Sequence, residues 1–167
     1  MPQLNFYFFF ITAAFPILLG AIYYNPKVLG NAWINAAGIN KDDMLDRNMI
    51  KIILLSYLFG LLLSYVLFLF CTHQSGMVQL FLHELVSKES DPEITKLFTN
   101  FMNEYGDRHR TFGHGVIHGA ELMLIMSFAL IGISCLNERR SLKYMWIHLG
   151  FWVICGALMS GVLCAFV

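Results

Sequence analysis

Hydrophobic positions along this chain gather into four long runs, Leu4–Tyr24, Met49–Thr72, Phe112–Leu136 and Leu142–Val167. About 20 helical residues cross a hydrocarbon core roughly 30 Å thick, so each run predicts a membrane-spanning helix. Lipid leaves backbone groups without water, so such segments satisfy themselves as helices. The expected architecture is all-α: a polytopic four-transmembrane-helix bundle forming one membrane domain over residues 1–167. The first run lacks a basic leading segment and is longer than a signal-peptide core, so it is expected to stay in place as a span.

Between the spans the pattern changes. After Tyr24, the pair Asn25-Pro26 ends or kinks the helix, because proline disfavours helical geometry in the residue before it. Residues 27–46 then read as an amphipathic interfacial segment, anchored by Trp33. A second amphipathic stretch fills residues 77–105. There Ser90-Asp91-Pro92-Glu93 opens a helix in which Ile94, Leu97, Phe98, Phe101, Met102 and Tyr105 recur every three or four positions, up to Gly106. This stretch is expected either to lie flat on the membrane or to lid the bundle.

Small residues recur four apart within two spans: Ser56, Gly60 and Ser64 in the second, Gly156 and Ser160 with Gly161 in the fourth. That spacing lets helix backbones approach closely. It serves packing inside one bundle or the face of a homo-oligomer, and the first reading is preferred.

Composition supports lipid as the solvent. The chain is 57% hydrophobic and only 13% charged, against about a quarter charged in soluble domains. Lys plus Arg and Asp plus Glu are balanced at 11 each, which gives no electrostatic footprint for nucleic acid. Basic residues near span ends set orientation. Lys27, Lys41, Arg47 and Lys51 lie in the first connection, and Arg139, Arg140 and Lys143 at the third. Both connections are therefore expected in the cytoplasm and both termini outside it. The four cysteines, Cys71, Cys135, Cys155 and Cys164, lack ligand spacing and read as small apolar packing residues.

Chemistry concentrates at the start of the third run. His114, His118 and Glu121 stand at i, i+4 and i+7, within about 40° of one another on a helix rising roughly 10 Å. Ionisable groups at membrane depth mark functional sites. Two imidazoles one turn apart share a metal ion in H-x-x-x-H helices, and Glu121 would supply a third ligand. His109 lies just before the span and is a further ligand or proton-binding candidate. A divalent metal ion is one candidate cofactor and haem another. Proton or ion handling is a second reading, and a purely structural hydrogen-bond network, with Glu121 paired to Arg108 or Arg110, a third. His148 reads as a packed interfacial residue, and His73 and His83 show no ligand spacing.

The stretch Gly20-Ala21-Ile22-Tyr23-Tyr24-Asn25-Pro26-Lys27-Val28-Leu29-Gly30-Asn31-Ala32-Trp33, with Gly38 and Asp42-Asp43-Met44, resembles the bacterial membrane family called domain of unknown function 1761. Within it, Tyr24, Asn25, Pro26, Gly30 and Trp33 form the interfacial motif. The chain's end is similar too, from Asn137-Glu138-Arg139-Arg140 through Ile147-His148 to Trp152 and Gly156-Ala157-Leu158-Met159. The resemblance implies a small four-span inner-membrane protein without an established activity. The function expected is a non-enzymatic binding or accessory subunit, its partners the lipid bilayer and a second copy or another membrane subunit. The alternative is a metal-dependent membrane enzyme or a proton- or ion-handling protein using the same cluster.

Overall fold

Helix is the only regular structure among the described residues, which in this computed structural model are 5–40, 47–87 and 91–167. The helices are α1 (Tyr7–Ala13), α2 (Phe15–Tyr23), α3 (Gly30–Ala37), α4 (Met49–Cys71), α5 (His73–Leu80), α6 (Leu82–Val86), α7 (Pro92–Tyr105), α8 (Phe112–Asn137) and α9 (Leu142–Phe166). Three of them, α4, α8 and α9, are long and apolar enough to cross a membrane.

The first apolar run is shorter and is broken. Its helical part covers Tyr7–Tyr23 in two pieces, a length of about 25 Å at 1.5 Å per residue. Pro16 explains the break: it lacks an N–H for the helix ladder and sits in the first turn of α2. One uninterrupted helix over Leu4–Tyr24 was expected, and Leu4 itself lies outside the described residues.

α8 and α9 form an antiparallel hairpin joined by a turn in which Arg139 adopts φ 55° and Arg140 N–H donates to the Cys135 carbonyl at 2.9 Å. Their seam is built from small residues. A Cβ on Gly115 would press on the Ser160 backbone and the Cys164 side chain, and one on Gly119 on Gly156 and Ser160. Gly156 in turn abuts Met123 and the Gly119 carbonyl, and Gly161 abuts Phe112 and Val116.

A second small-residue seam joins α4 to α1. Gly60 lies against the Ala13 backbone, and the Thr12 and Ser64 hydroxyls are 2.9 Å apart in a buried pair. Ser64 also donates to the Gly60 carbonyl at 2.9 Å. Ser56 lines a cavity between the helices. All four cysteines are buried with free thiols. The core runs along α9, where Phe151, Cys155, Met159 and Leu163 meet Leu67 and Cys71 of α4. The outward faces of α4 and α8 stay apolar, with Ile50, Phe70, Ile125 and Leu130 exposed, as lipid contact requires.

The interfacial segment is ordered as α3, closed by Gly38 in the left-handed conformation that favours glycine. Residues 41–46 of it, including Asp42, Asp43 and Met44, lie outside the described residues. α3 docks on the far end of the bundle. Arg140 donates to the Ala37 carbonyl, and Trp33 Nε1–H donates to His148 Nε2 at 3.1 Å. The amphipathic stretch becomes the end of α5 with α6 and α7, and residues 88–90, Ser90 among them, lie outside the described residues. Asp91 caps α7 by accepting from the Glu93 N–H at 2.8 Å, and Phe98 is buried against Phe81.

Candidate metal centre

Four histidines meet where α4 turns into α5 and α8 begins. Thr72, in extended conformation, ends α4 and starts α5, so the chain turns sharply and His73 emerges beside the first turns of α8. Thr111 caps α8 by accepting the His114 N–H at 3.2 Å. Gly115 and Gly119 occupy the α9 seam, so His114 and His118, one position earlier each and about 100° round the helix, face sideways toward His73.

The resulting geometry is tight. His73 Nε2 and His114 Nε2 lie 2.8 Å apart. The His114 and His118 ring centroids are 4.5 Å apart, and those of His73 and His118 are 5.1 Å apart. One nitrogen from each of His73, His114 and His118 lies within 4.8 Å of the other two, which makes them a possible metal-ligand group. Ligand atoms around a tetrahedral zinc ion at 2.0–2.1 Å are separated by about 3.3 Å. Small rotations of these rings therefore reach coordination geometry. Imidazole nitrogens suit zinc, copper, nickel and iron.

His109 completes the cluster without joining that group. Its ring stacks on His114 at 5.0 Å and 21°, and lies 6.1 Å from His73. The residue adopts φ 64°, a left-handed backbone unusual for any side chain other than glycine. The His109 carbonyl accepts from the Thr111 N–H at 2.9 Å, which holds this bend against the start of α8. For His73, partial desolvation first, and then repulsion from His118 and His109, pushes the imidazole pKa below the ordinary histidine range.

Glu121 takes another position. It is exposed and stands outside the three-histidine group. His73 arrives level with the first two turns of α8, one turn short of Glu121. Neither arginine that sequence reasoning paired with it turns that way. Arg110 Nε donates to the Cys164 carbonyl at 2.7 Å, and the Arg108 guanidinium lies 5.9 Å from the Tyr105 ring centre. Sequence spacing did not point to His73, because the spacing of residues along one helix cannot reveal a neighbour contributed by another. Its place immediately after an apolar run, at the same membrane face as His114, was the available signal.

A cavity of about 560 Å³ adjoins the cluster, lined by His73, His109 and Arg108 together with Phe101, Met102 and Tyr105 of α7. α7 thus borders the histidine end of the bundle. Gln74 steadies this wall by donating to the Arg108 carbonyl at 2.9 Å.

A family model described as a protein of unknown function, DUF1761, matches residues 8–164, nearly the whole chain. The chain belongs to the DUF1761 family. No curated protein and no solved structure matches it. In this DUF1761 protein the motif residues of the first connection converge on α9. Tyr24 Oη is 3.0 Å from His148 Nδ1, and Trp33 reaches the other ring nitrogen. The interfacial motif is therefore a structural joint at the end of the bundle opposite the histidine cluster.

Proposed function

We propose that this DUF1761 protein binds a first-row divalent metal ion, zinc foremost, through His73, His114 and His118 at one membrane face. Three neutral imidazoles leave a fourth position for water or an anion. The single observation behind the reading is the convergence of three ring nitrogens from two helices within 4.8 Å. The site serves a binding or accessory role in a four-span bacterial inner-membrane protein. By the distribution of Lys and Arg, the histidine end and both termini lie outside the cytoplasm.

A second reading has a specific observation in its favour. The 560 Å³ cavity beside His73 and His109 leaves room for a small substrate next to a metal-activated water. That reading makes the protein a metal-dependent membrane enzyme.

Elemental analysis of protein purified in mild detergent tests the main proposal. One equivalent of metal per chain, lost in His118→Ala and in His73→Ala, is expected. Substoichiometric metal in the wild type after reconstitution with zinc, or metal retained by both variants, sinks it.

A further inference from the structure

A second cavity, of about 830 Å³, lies among α2, α4, α8 and α9. Its walls carry no Asp, Glu, Lys, Arg or His; its polar groups are the hydroxyls of Tyr24, Ser56 and Ser127 and the indole N–H of Trp152. Ser127 lies about 13 Å along α8 from His118, so this space is separate from the histidine cluster.

Hydrogen-bond logic at its rim is decisive. The indole N–H of Trp33 can only donate, so His148 Nε2 must accept it. The neutral imidazole then carries its proton on Nδ1 and donates it to Tyr24 Oη, 3.0 Å away. Tyr24 is left with a free O–H proton, since its oxygen is already used as the acceptor. No acceptor among the described residues receives that proton. Ser127, only 5% exposed, adds a second hydroxyl to the wall of the same space. Unpaired donors in an apolar space are costly, and a ligand acceptor relieves them.

Tyr24 packs its ring 5.1 Å from Phe151, and Phe151 lies 5.0 Å from Trp152, so flat aromatic walls surround the donor. Leu63, Met123 and Ile131 line the same space with apolar side chains.

We infer that this cavity binds a neutral membrane lipid of the quinone class, its flat head against Tyr24, Phe151 and Trp152 and its hydrocarbon tail in the bundle. A head carbonyl accepts from Tyr24 Oη, whose proton is freed by the Trp33–His148 relay. The absence of charged walls disfavours phospholipid headgroups, which would enter without a counter-ion.

The probe is a decyl-tailed benzoquinone titrated into the full-length protein in detergent, with tryptophan quenching as readout, because Trp152 lines the site. Saturable quenching at one quinone per chain is expected, with decylbenzene, which lacks the carbonyls, competing more weakly. Tyr24→Phe keeps the ring but removes the donor, and should weaken binding roughly three- to tenfold. If that variant fails to fold, Ser127→Phe puts a ring inside the cavity without touching the relay and should abolish saturation. Unsaturable quenching overturns the inference. So does equal affinity in the folded Tyr24→Phe variant, or equal competition by decylbenzene. Because the metal site lies apart, His118→Ala should bind the quinone like the wild type.

Discussion

His73 Nε2 stands 2.8 Å from His114 Nε2, across 41 residues of chain and between two different helices. That contact joins the end of α4 to the start of α8. On the proposed reading the ligand group is complete only when both helices are in place. Removing either partner should therefore affect metal binding, whereas the exposed Glu121 should not. His73→Ala is expected to lower zinc affinity at least tenfold, while Glu121→Ala leaves it within about twofold. Isothermal titration in detergent measures both, and the reverse order would restore the ladder in α8 as the ligand set.

Metal affinity should fall in acid. Imidazole binds metal only when neutral. The His73 pKa is held below the ordinary range, so the neutral form of this ligand persists to lower pH than an unperturbed histidine near 6.5 would allow. As pH drops further through the lowered value, protons displace the ion. Dissociation constants measured across that interval should rise only on its acidic side; loss of binding already above pH ~7 would contradict the arrangement.

The α8–α9 seam should be intolerant of added bulk. At Gly119 a Cβ would meet the Gly156 carbonyl and the Ser160 side chain, and at Gly115 the Ser160 backbone. Backbone cannot swing aside as a flexible side chain can. Gly119→Leu should cost about 3 kcal/mol or more, at the upper end of overpacking effects. Thermal unfolding in detergent gives the comparison, with Gly113→Ala as a control because a Cβ there meets nothing within 4 Å. Equal melting of the two variants would argue against this helix pairing.

His109 presents an opposite case. Its φ of 64° is strained for a histidine, so glycine should relieve it. His109→Gly is expected to raise stability by up to about 1 kcal/mol while zinc stoichiometry is unchanged, since His109 is outside the three-histidine group. A fall in metal content would instead make His109 a ligand.

Trp33 and Tyr24 both hold His148, so α3 is tied to α9 through one ring. Trp33→Phe leaves His148 Nε2 without its donor and should cost about 1 kcal/mol. Amide hydrogen exchange within α3 should speed up as the helix loosens. Unchanged exchange would show that the Arg140 and Ser141 bonds to Ala37 and Ala36 suffice.

Sequence alone determined the solvent and the elements. Apolar runs of spanning length made helices unavoidable, and periodicity located the amphipathic helix after Asp91, because hydration and backbone satisfaction are local properties. Family membership was also legible, in the Tyr24-Asn25-Pro26 to Trp33 stretch and the segment through His148. Tertiary structure decided the rest. Which histidines meet depends on where α4 stops and how far it stands from α8, and neither distance is written in the spacing of either helix. His73 therefore stands beside His114 and His118, a neighbour that their spacing along α8 could not announce. The Pro16 break in the first run is by contrast local chemistry, a missing N–H that a continuous hydropathy pattern does not register. The joint at His148 arose as the histidine group did: a lone histidine in sequence acquired two partners only when α3 folded back onto α9.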